Sequence, residues 1–408
     1  MRAHIIGGGF GGLAAAALLI RNAGVSGADI TIYEADEQLV AGSFSAAREV
    51  RSVREALMRT ATIRRLRGLS LGMAALAILA SSPIGDLKAE GKPPLLIRDQ
   101  GNFYVNAEKV QTPYNDTCKV AAGCAGIAPF EGDTDEINQA YVDYQFPHHK
   151  TFEYPIIFTH GGGHHGGYYE STPDRREGWR TYFVRNGFDT YVVDDVNRGR
   201  SGYDIRSIVA AVWGDMPVSQ INRINKYSLE RAWAAFRLGP TYGTAYPDAQ
   251  FPIESFDAYA GQLVPSFRLP IETDRNVHAF VALVDQIGPS VLVTWSQSGR
   301  FGWLSALQRP DKFKAIVALE GGVPDLSTPQ NVALYSKIPI LFVVADRAGT
   351  QSALVHAAEE TLLKAGGVAK ALVLPEVGIT GNSHVFVVEK NNLQIAELII
   401  DWLRTNVK

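Results

Sequence analysis

The chain has 408 residues, more than one ordinary core needs and too few for four domains. Hydrophobic residues make up 46% and charged residues 20%, the mix of a globular protein rather than a disordered one. A formal net charge of −3 gives no reason to expect nucleic acid or an anionic membrane as partner.

Residues 1–45 open with a short strand, Arg2 to Ile6, followed by Gly7-Gly8-Gly9-Phe10-Gly11-Gly12. A helical run from Leu13 to Asn22 and a second strand, Ile30 to Tyr33, complete a βαβ-like start. Gly7, Gly9 and Gly12 have the spacing that lets a pyrophosphate approach a helix N-terminus, and Glu34 stands where a ribose hydroxyl would be held. With Ala41-Gly42-Ser43 beyond it, the segment resembles the N-terminus of FAD-binding proteins of the oleate hydratase type. A nucleotide fold needs several further strands, and none is expected to follow. The glycines and Glu34 therefore read as vestigial, and no cofactor is expected. A flavin-dependent oxidoreductase or hydratase is the competing reading.

Residues 46–94 read as a linker. From Met58, a basic stretch (Arg59, Arg64, Arg65, Arg67) leads into the apolar run Leu69 to Ala80, then Ser81-Ser82 and Ala89. That is the layout of a secretory signal peptide, with an apolar run too short to span a bilayer. The expectation is a hydrolase that once began at Met58, joined to residues 1–57 by gene fusion or by a misplaced start. In that case the protein is secreted or periplasmic; an amphipathic linking helix is the alternative. Cys118 and Cys124, the two cysteines of the chain, are too few for a zinc site and read better as a small disulfide loop than as free thiols. Such a loop would contribute about 2 kcal/mol at most.

Residues 95–408 carry the chemistry. Apolar β-branched runs at 155–159, 190–194, 291–295, 315–319 and 339–344 alternate with helices at 177–186, 353–365 and 393–406. Continuous apolar strands spaced by helices predict a mostly parallel sheet covered on both faces, an α/β-hydrolase fold. From about 202 to 273 the pattern gives way to a stretch rich in Pro and aromatics, including Trp213, Trp233, Phe236, Tyr242, Tyr246, Phe251, Phe256 and Phe267. An insertion of that length reads as a cap over the active site, and its aromatics suggest a small or medium apolar acyl or alcohol group on the substrate.

A serine hydroxyl needs a general base, an acid that orients the base, and donors for the developing oxyanion. Thr294-Trp295-Ser296-Gln297-Ser298-Gly299 follows a buried strand and precedes a helix, the position of a nucleophile elbow. It departs from G-x-S-x-G, with Thr294 and Ser298 where glycines are usual. Ser296 is the expected nucleophile and Ser298 the rival hydroxyl. Upstream, His160-Gly161-Gly162-Gly163-His164-His165 follows a strand and is suited to an oxyanion hole, with backbone donors near Gly162 and at Gln297. A metal site built from His160, His164 and His165 is the rival there. His384, between the last strand and the C-terminal helix, is the expected base; His278 and His356 fall in helical patterns. Glu320 and Asp346 both end strands at the carboxyl edge of the sheet; Asp346 is at the commoner location for the acid, and periodicity alone does not decide between them.

His160-Gly-Gly-Gly-His164, Thr172 to Trp179, Asn197-Arg-Gly-Arg-Ser201, Phe251-Pro-Ile253, and Gly381-Asn-Ser-His384 with Asn391-Asn392 resemble the esterase family typified by bacterial esterase 713. That resemblance implies a serine esterase whose acid is a glutamate after the strand following the nucleophile, here Glu320, leaving Asp346 a supporting role. It also implies a small disulfide and an export signal. The expected partner is a small-molecule ester, with no stable membrane span and a homodimer left open. A non-catalytic binding module on the same fold is the remaining alternative.

Overall fold

The computed structural model describes residues 3–6, 30–36, 45–50, 93–112, 134–221, 223–267 and 271–408. The chain divides into two compact units, Met1–Lys92 and Pro93–Lys408. In the first unit, Ala3–Ile6 pairs in parallel with Ile30–Asp36, the arrangement a βαβ start requires. A third strand, Ser45–Val50, pairs antiparallel with Ile30–Asp36, which corrects the expectation that no strand follows. Glu34 lies within the middle strand. Gly7, Gly9, Gly12, the signal-like stretch from Met58, and the Cys118/Cys124 pair lie outside the described residues.

The second unit is built on an eight-stranded sheet. Its strands are β1 (Ile97–Val105), β2 (Ala140–Pro147), β3 (Ile156–Thr159), β4 (Thr190–Asp194), β5 (Ser290–Trp295), β6 (Phe313–Leu319), β7 (Ile340–Val344) and β8 (Ala369–Val373). In space they run β1-β2-β4-β3-β5-β6-β7-β8. All neighbours from β4 to β8 are parallel, whereas β2 runs antiparallel to both β1 and β4. The inner strands are buried on both faces because alternate side chains enter different cores. Ile156 and Phe158 join one core and Ile157 the other; Val293 and Leu292 divide in the same way.

Nine α-helices flank or cap the sheet among the described residues: α1 (Trp179–Arg185), α2 (Arg206–Trp213), α3 (Leu229–Ala235), α4 (Phe256–Ala260), α5 (Ile271–Ile287), α6 (Gln297–Gln308), α7 (Pro329–Tyr335), α8 (Gln351–Lys364) and α9 (Asn392–Asn406). Helices α1 and α9 pack on one face with Trp179, Phe183, Ile395 and Ile399. Helices α5, α6 and α8 cover the other with Phe280, Phe301 and Leu362.

The insertion between β4 and β5 holds α2, α3, α4 and a short antiparallel pair, Ile224–Asn225 with Ser266–Phe267. Residue 271 already belongs to the sheet-covering helix α5. Trp233, Phe251, Phe256 and Tyr259 of the insertion merge with the core beneath them, as does Phe236, which also lines the pocket at Ser296. Backbone bonds then fix the insertion to the loop that carries His384. Phe236 O accepts from His384 N at 3.1 Å, and Gln250 N donates to Gly381 O at 2.8 Å.

Both cores of the second unit are made from residues beyond 104. Removing residues 1–92 should therefore leave a cooperatively folding protein with a melting temperature within about 2 °C of the full chain. Calorimetry of the two proteins checks this, and a loss of cooperative unfolding would refute it.

Candidate active site

Strand β5 delivers Ser296 to the carboxyl edge of the sheet, and α6 starts immediately after it. Ser296 has φ 55° and ψ −115°, a conformation L-residues rarely adopt, costing about 1–3 kcal/mol. Its N–H donates to Leu319 O at 3.0 Å, which holds the turn against β6. The strain lifts the hydroxyl out of the strand and into a pocket.

The missing glycines of the elbow have a steric explanation. A Cβ on Gly302, one turn into α6, would lie 2.7 Å from Thr294 Cγ2, so Gly302 makes the room that Thr294 takes up. Ser298, the rival hydroxyl, is fully buried. Its Oγ lies 3.0 Å from Thr159 Oγ1 and accepts from Trp295 N at 3.0 Å. Ser298 thus pins the elbow to β3, and Ser296 alone of the two lines the pocket.

His384 stands beside Ser296, with Nε2 2.9 Å from Ser296 Oγ. Its Nδ1 meets Glu320 Oε2 in a short hydrogen bond. A carboxylate only accepts, so the Nδ1 proton is fixed there and Nε2 is left to accept from the serine. Glu320 follows β6 with φ 45° and its side chain is fully buried. Burial alone would raise its pKa, but the hydrogen bond and charge of His384, together with Arg237, outweigh that and hold it below the usual carboxylate value. Arg237 Nη2 donates to both Glu320 oxygens, at 2.5 and 2.7 Å, and Ala345 N donates to Oε1 at 3.0 Å. Asp346 does not bond His384. Its Oδ2 accepts from Asn382 N at 3.1 Å and so ties down the loop two residues before the histidine.

Sequence reasoning missed Arg237. It lies in the insertion, just after α3, and carries no motif; its φ of 60° is visible only in the fold. Sequence reasoning also missed Glu389, buried beneath the same loop, whose Oε1 accepts from Ser383 N at 2.9 Å. Burial pushes its carboxyl up to about 7.

The glycine segment after β3 lies against the elbow. A Cβ on Gly161 would come within 2.7 Å of the Trp295 ring, so no larger residue fits. Gly161 O accepts from Arg198 Nη1 at 3.1 Å and lies 2.9 Å from His160 Nδ1. Asp195 N donates to His160 Nε2 at 3.0 Å, which leaves the ring proton on Nδ1 for that carbonyl. Because a trans peptide sets C=O and N–H in opposite directions, anchoring the Gly161 carbonyl aims Gly162 N–H the other way. Gln297 N–H opens α6, where helical N–H groups have no carbonyl partner within the helix. Arg198 reaches this second donor residue as well, with Nη2 2.8 Å from Gln297 Oε1.

The histidines of the metal-site alternative are all engaged otherwise. His164 Nδ1 lies 3.0 Å from Gly162 O and its Nε2 2.6 Å from Tyr259 OH. His165 Nδ1 accepts from Gly167 N at 3.1 Å. Burial drives the His160 pKa down to about 3, with the Arg198 charge adding to it. Among the described residues no three His, Cys, Asp or Glu are grouped to hold a metal. His278 is exposed on α5, and His356, on α8, pairs with Glu376 at 3.1 Å; neither lines the pocket that holds Ser296.

Beneath the glycine segment lies a buried charge cluster. Arg198 pairs with Glu272 at 2.5 Å, and Asp194 pairs with Arg200 at 2.9 Å. Asp195 has no cation of its own, being 3.8 Å from the shared Arg198, and neither of its oxygens has a hydrogen-bond donor. Burial pushes its pKa up to about 8.

The pocket in front of Ser296 has a volume of about 420 Å³. Gly162, Gly163, Gln297 and His384 form the wall nearest the serine. The insertion contributes Asn225, Lys226, Tyr227, Arg231, Ala235 and Phe236 to the other wall.

Two proteins similar to this chain are described as an esterase and a lipase. A solved structure described as a novel bacterial esterase superposes with a TM-score of 0.71 and 33% identity, covering 78% of this chain and 98% of that one. The probable secreted lipase phiG of Fungal sp. (strain ATCC 74256) is 30% identical over 320 residues, 65% of this chain and 85% of that protein. At the other end of the chain, the MCRA family model matches residues 1–55. Fold and relatives define a carboxylic ester hydrolase of the α/β-hydrolase class. The chain belongs to the family of esterases and lipases represented by that bacterial esterase and phiG.

Asp195 gives the site's support a pH signature. Its folded pKa lies above the ordinary 3.8, so the neutral form favours the fold. That contribution is complete below the unfolded pKa and is lost as pH rises through about 8. Asp195→Asn cannot titrate, so its melting temperature should gain on the wild type between about pH 6 and about pH 9. Parallel melting profiles across that range would refute the assignment.

Proposed function

We propose that this ester hydrolase works through Ser296, His384 and Glu320 by way of an acyl-enzyme. The observation that carries the reading is the continuous hydrogen-bonded run from Ser296 Oγ through both nitrogens of His384 to Glu320. Ser296 Oγ bonds to the ester carbonyl carbon while its proton passes to His384 Nε2, and the carbonyl oxygen becomes an oxyanion. Gly162 N–H and Gln297 N–H are the proposed donors to that oxygen. Collapse breaks the carbon–alkoxide bond, and the alkoxide leaves with the proton from His384. Water then attacks the acyl-enzyme, gives its proton to His384, and Ser296 recovers it as the acid departs. Glu320 stays ionised, orienting the imidazole and stabilising its cation.

Export is proposed from the signal-like stretch after Met58 and from the secreted description of phiG. No helix among the described residues is long and apolar enough to cross a membrane. The likeness of residues 1–45 to an oleate hydratase FAD-binding N-terminus is proposed to be a vestige without a cofactor. Its support is that the described residues of this segment form a sheet of three strands, where a nucleotide fold uses several more.

Ser296→Ala should reduce hydrolysis of a short p-nitrophenyl ester by about 10⁶ without lowering the melting temperature. A fluorophosphonate should add its mass to the wild type at the peptide holding Ser296 and leave the variant unlabelled. Near-wild-type turnover by the variant would remove Ser296 from the reaction.

Glu320→Gln should cost far more activity than Asp346→Asn, by analogy with the loss of about 10⁴ in the protease template. The reverse order in kcat/KM would transfer the orienting role to Asp346.

A further inference from the structure

We propose that the esters this site is built for carry a second, ionised carboxylate, recognised by Lys226 and Arg231; the inference rests on the hydrolase reading above. Sequence alone suggested an apolar group, on the strength of the aromatic insertion. Of the seven aromatics that suggested it and whose side chains are described, Phe236 lines the pocket. Around it the insertion presents Asn225, Tyr227 and Ala235 together with two cations, Lys226 and Arg231.

Lys226 and Arg231 both line the pocket that contains Ser296 and His384, and no Asp or Glu lines it with them. Both are exposed, and among the described residues no carboxylate forms an ion pair with either. Glu230, beside Arg231, does not line the pocket. Its carboxylate is stabilised by its own N–H and by Ser228, at the start of α3. The nearest acid to the reaction, Glu320, lies buried below and is already matched by Arg237 and His384. The whole chain carries a net charge of −3, so two unmatched cations in this pocket run against the average of the protein.

The local fold makes the placement definite. Ile224–Asn225 pairs with Ser266–Phe267, which fixes the segment leading into Lys226. Ser228 caps α3 by accepting from Arg231 N at 3.2 Å, so Arg231 sits in the first turn of a helix whose end carries Ala235 and leads into Phe236 and Arg237. The segment that holds the triad acid thus also carries the charge at the pocket. A cleft lined by one sign of charge concentrates oppositely charged substrate by about 10- to 1,000-fold, less as salt rises. An arginine fork adds bidentate recognition of a carboxylate.

The test uses two matched pairs on the full-length protein: the 4-nitrophenyl monoester of adipic acid against 4-nitrophenyl hexanoate, and 4-acetoxybenzoate against 4-acetoxybenzamide. The first pair puts the carboxylate on the acyl side, the second on the alcohol side. The expected result is a charged-to-neutral ratio of kcat/KM of about 10 or more in at least one pair, decreasing with salt. In Lys226→Gln/Arg231→Gln that ratio should fall towards one, mainly through KM. Turnover of the hexanoate and the benzamide tests the hydrolase reading by itself. Ratios near one in both pairs, or a ratio the double variant does not change, would overturn the proposal.

Discussion

Everything at the active site hangs on one buried carboxylate. Glu320 is withdrawn from water, yet its two oxygens receive donors from His384, Arg237 and the Ala345 backbone. An uncompensated buried charge costs several kcal/mol, so each of these donors is needed to keep the acid ionised. The donors come from three places: the loop before α9, the insertion after α3, and the end of β7. Satisfying Glu320 therefore assembles the site. The insertion cannot move far without removing Arg237 from the acid and the Phe236 carbonyl from the His384 backbone.

A second arginine does the corresponding work on the oxyanion side. Arg198 is fully buried and binds Gly161 O, one residue before the first proposed donor, and the Oε1 of Gln297, the second. Its own charge is matched by Glu272 on α5. In the proposed reaction, proton transfer and charge stabilisation thus each rest on a guanidinium outside the proposed triad. Both are short-range devices: rigid, multiply bonded, and shielded from salt.

The parallel centre of the sheet was legible because residues such as Ile156, Ile157 and Phe158 are apolar on both faces and leave no strand alternative. The edge strand β1 was not, since Ile97–Val105 reads Ile-Arg-Asp-Gln-Gly-Asn-Phe-Tyr-Val and exposes most of one face. Nor was the third N-terminal strand, Ser-Ala-Ala-Arg-Glu-Val, which has almost no β-branched content. At the site, Ser296, His384 and the glycine segment are strand-end features with local signatures. Glu320 needed a family resemblance to be chosen over Asp346, because both end parallel strands. Arg237 and Arg198 are defined by carboxylates tens of residues away in sequence, Glu320 and Glu272, and no local pattern records such pairings.

The exchange of space between Thr294 and Gly302 reaches beyond this chain. A methyl group has moved onto the strand and a hydrogen onto the helix, so neither position is free to vary alone. Restoring glycine at 294 opens a gap beside Leu292; enlarging 302 first drives two side chains into each other. The elbow therefore has two self-consistent spellings separated by an unfavourable intermediate. In this chain the two positions are therefore coupled, and a search pattern with glycine at 294 passes over the turn that carries Ser296.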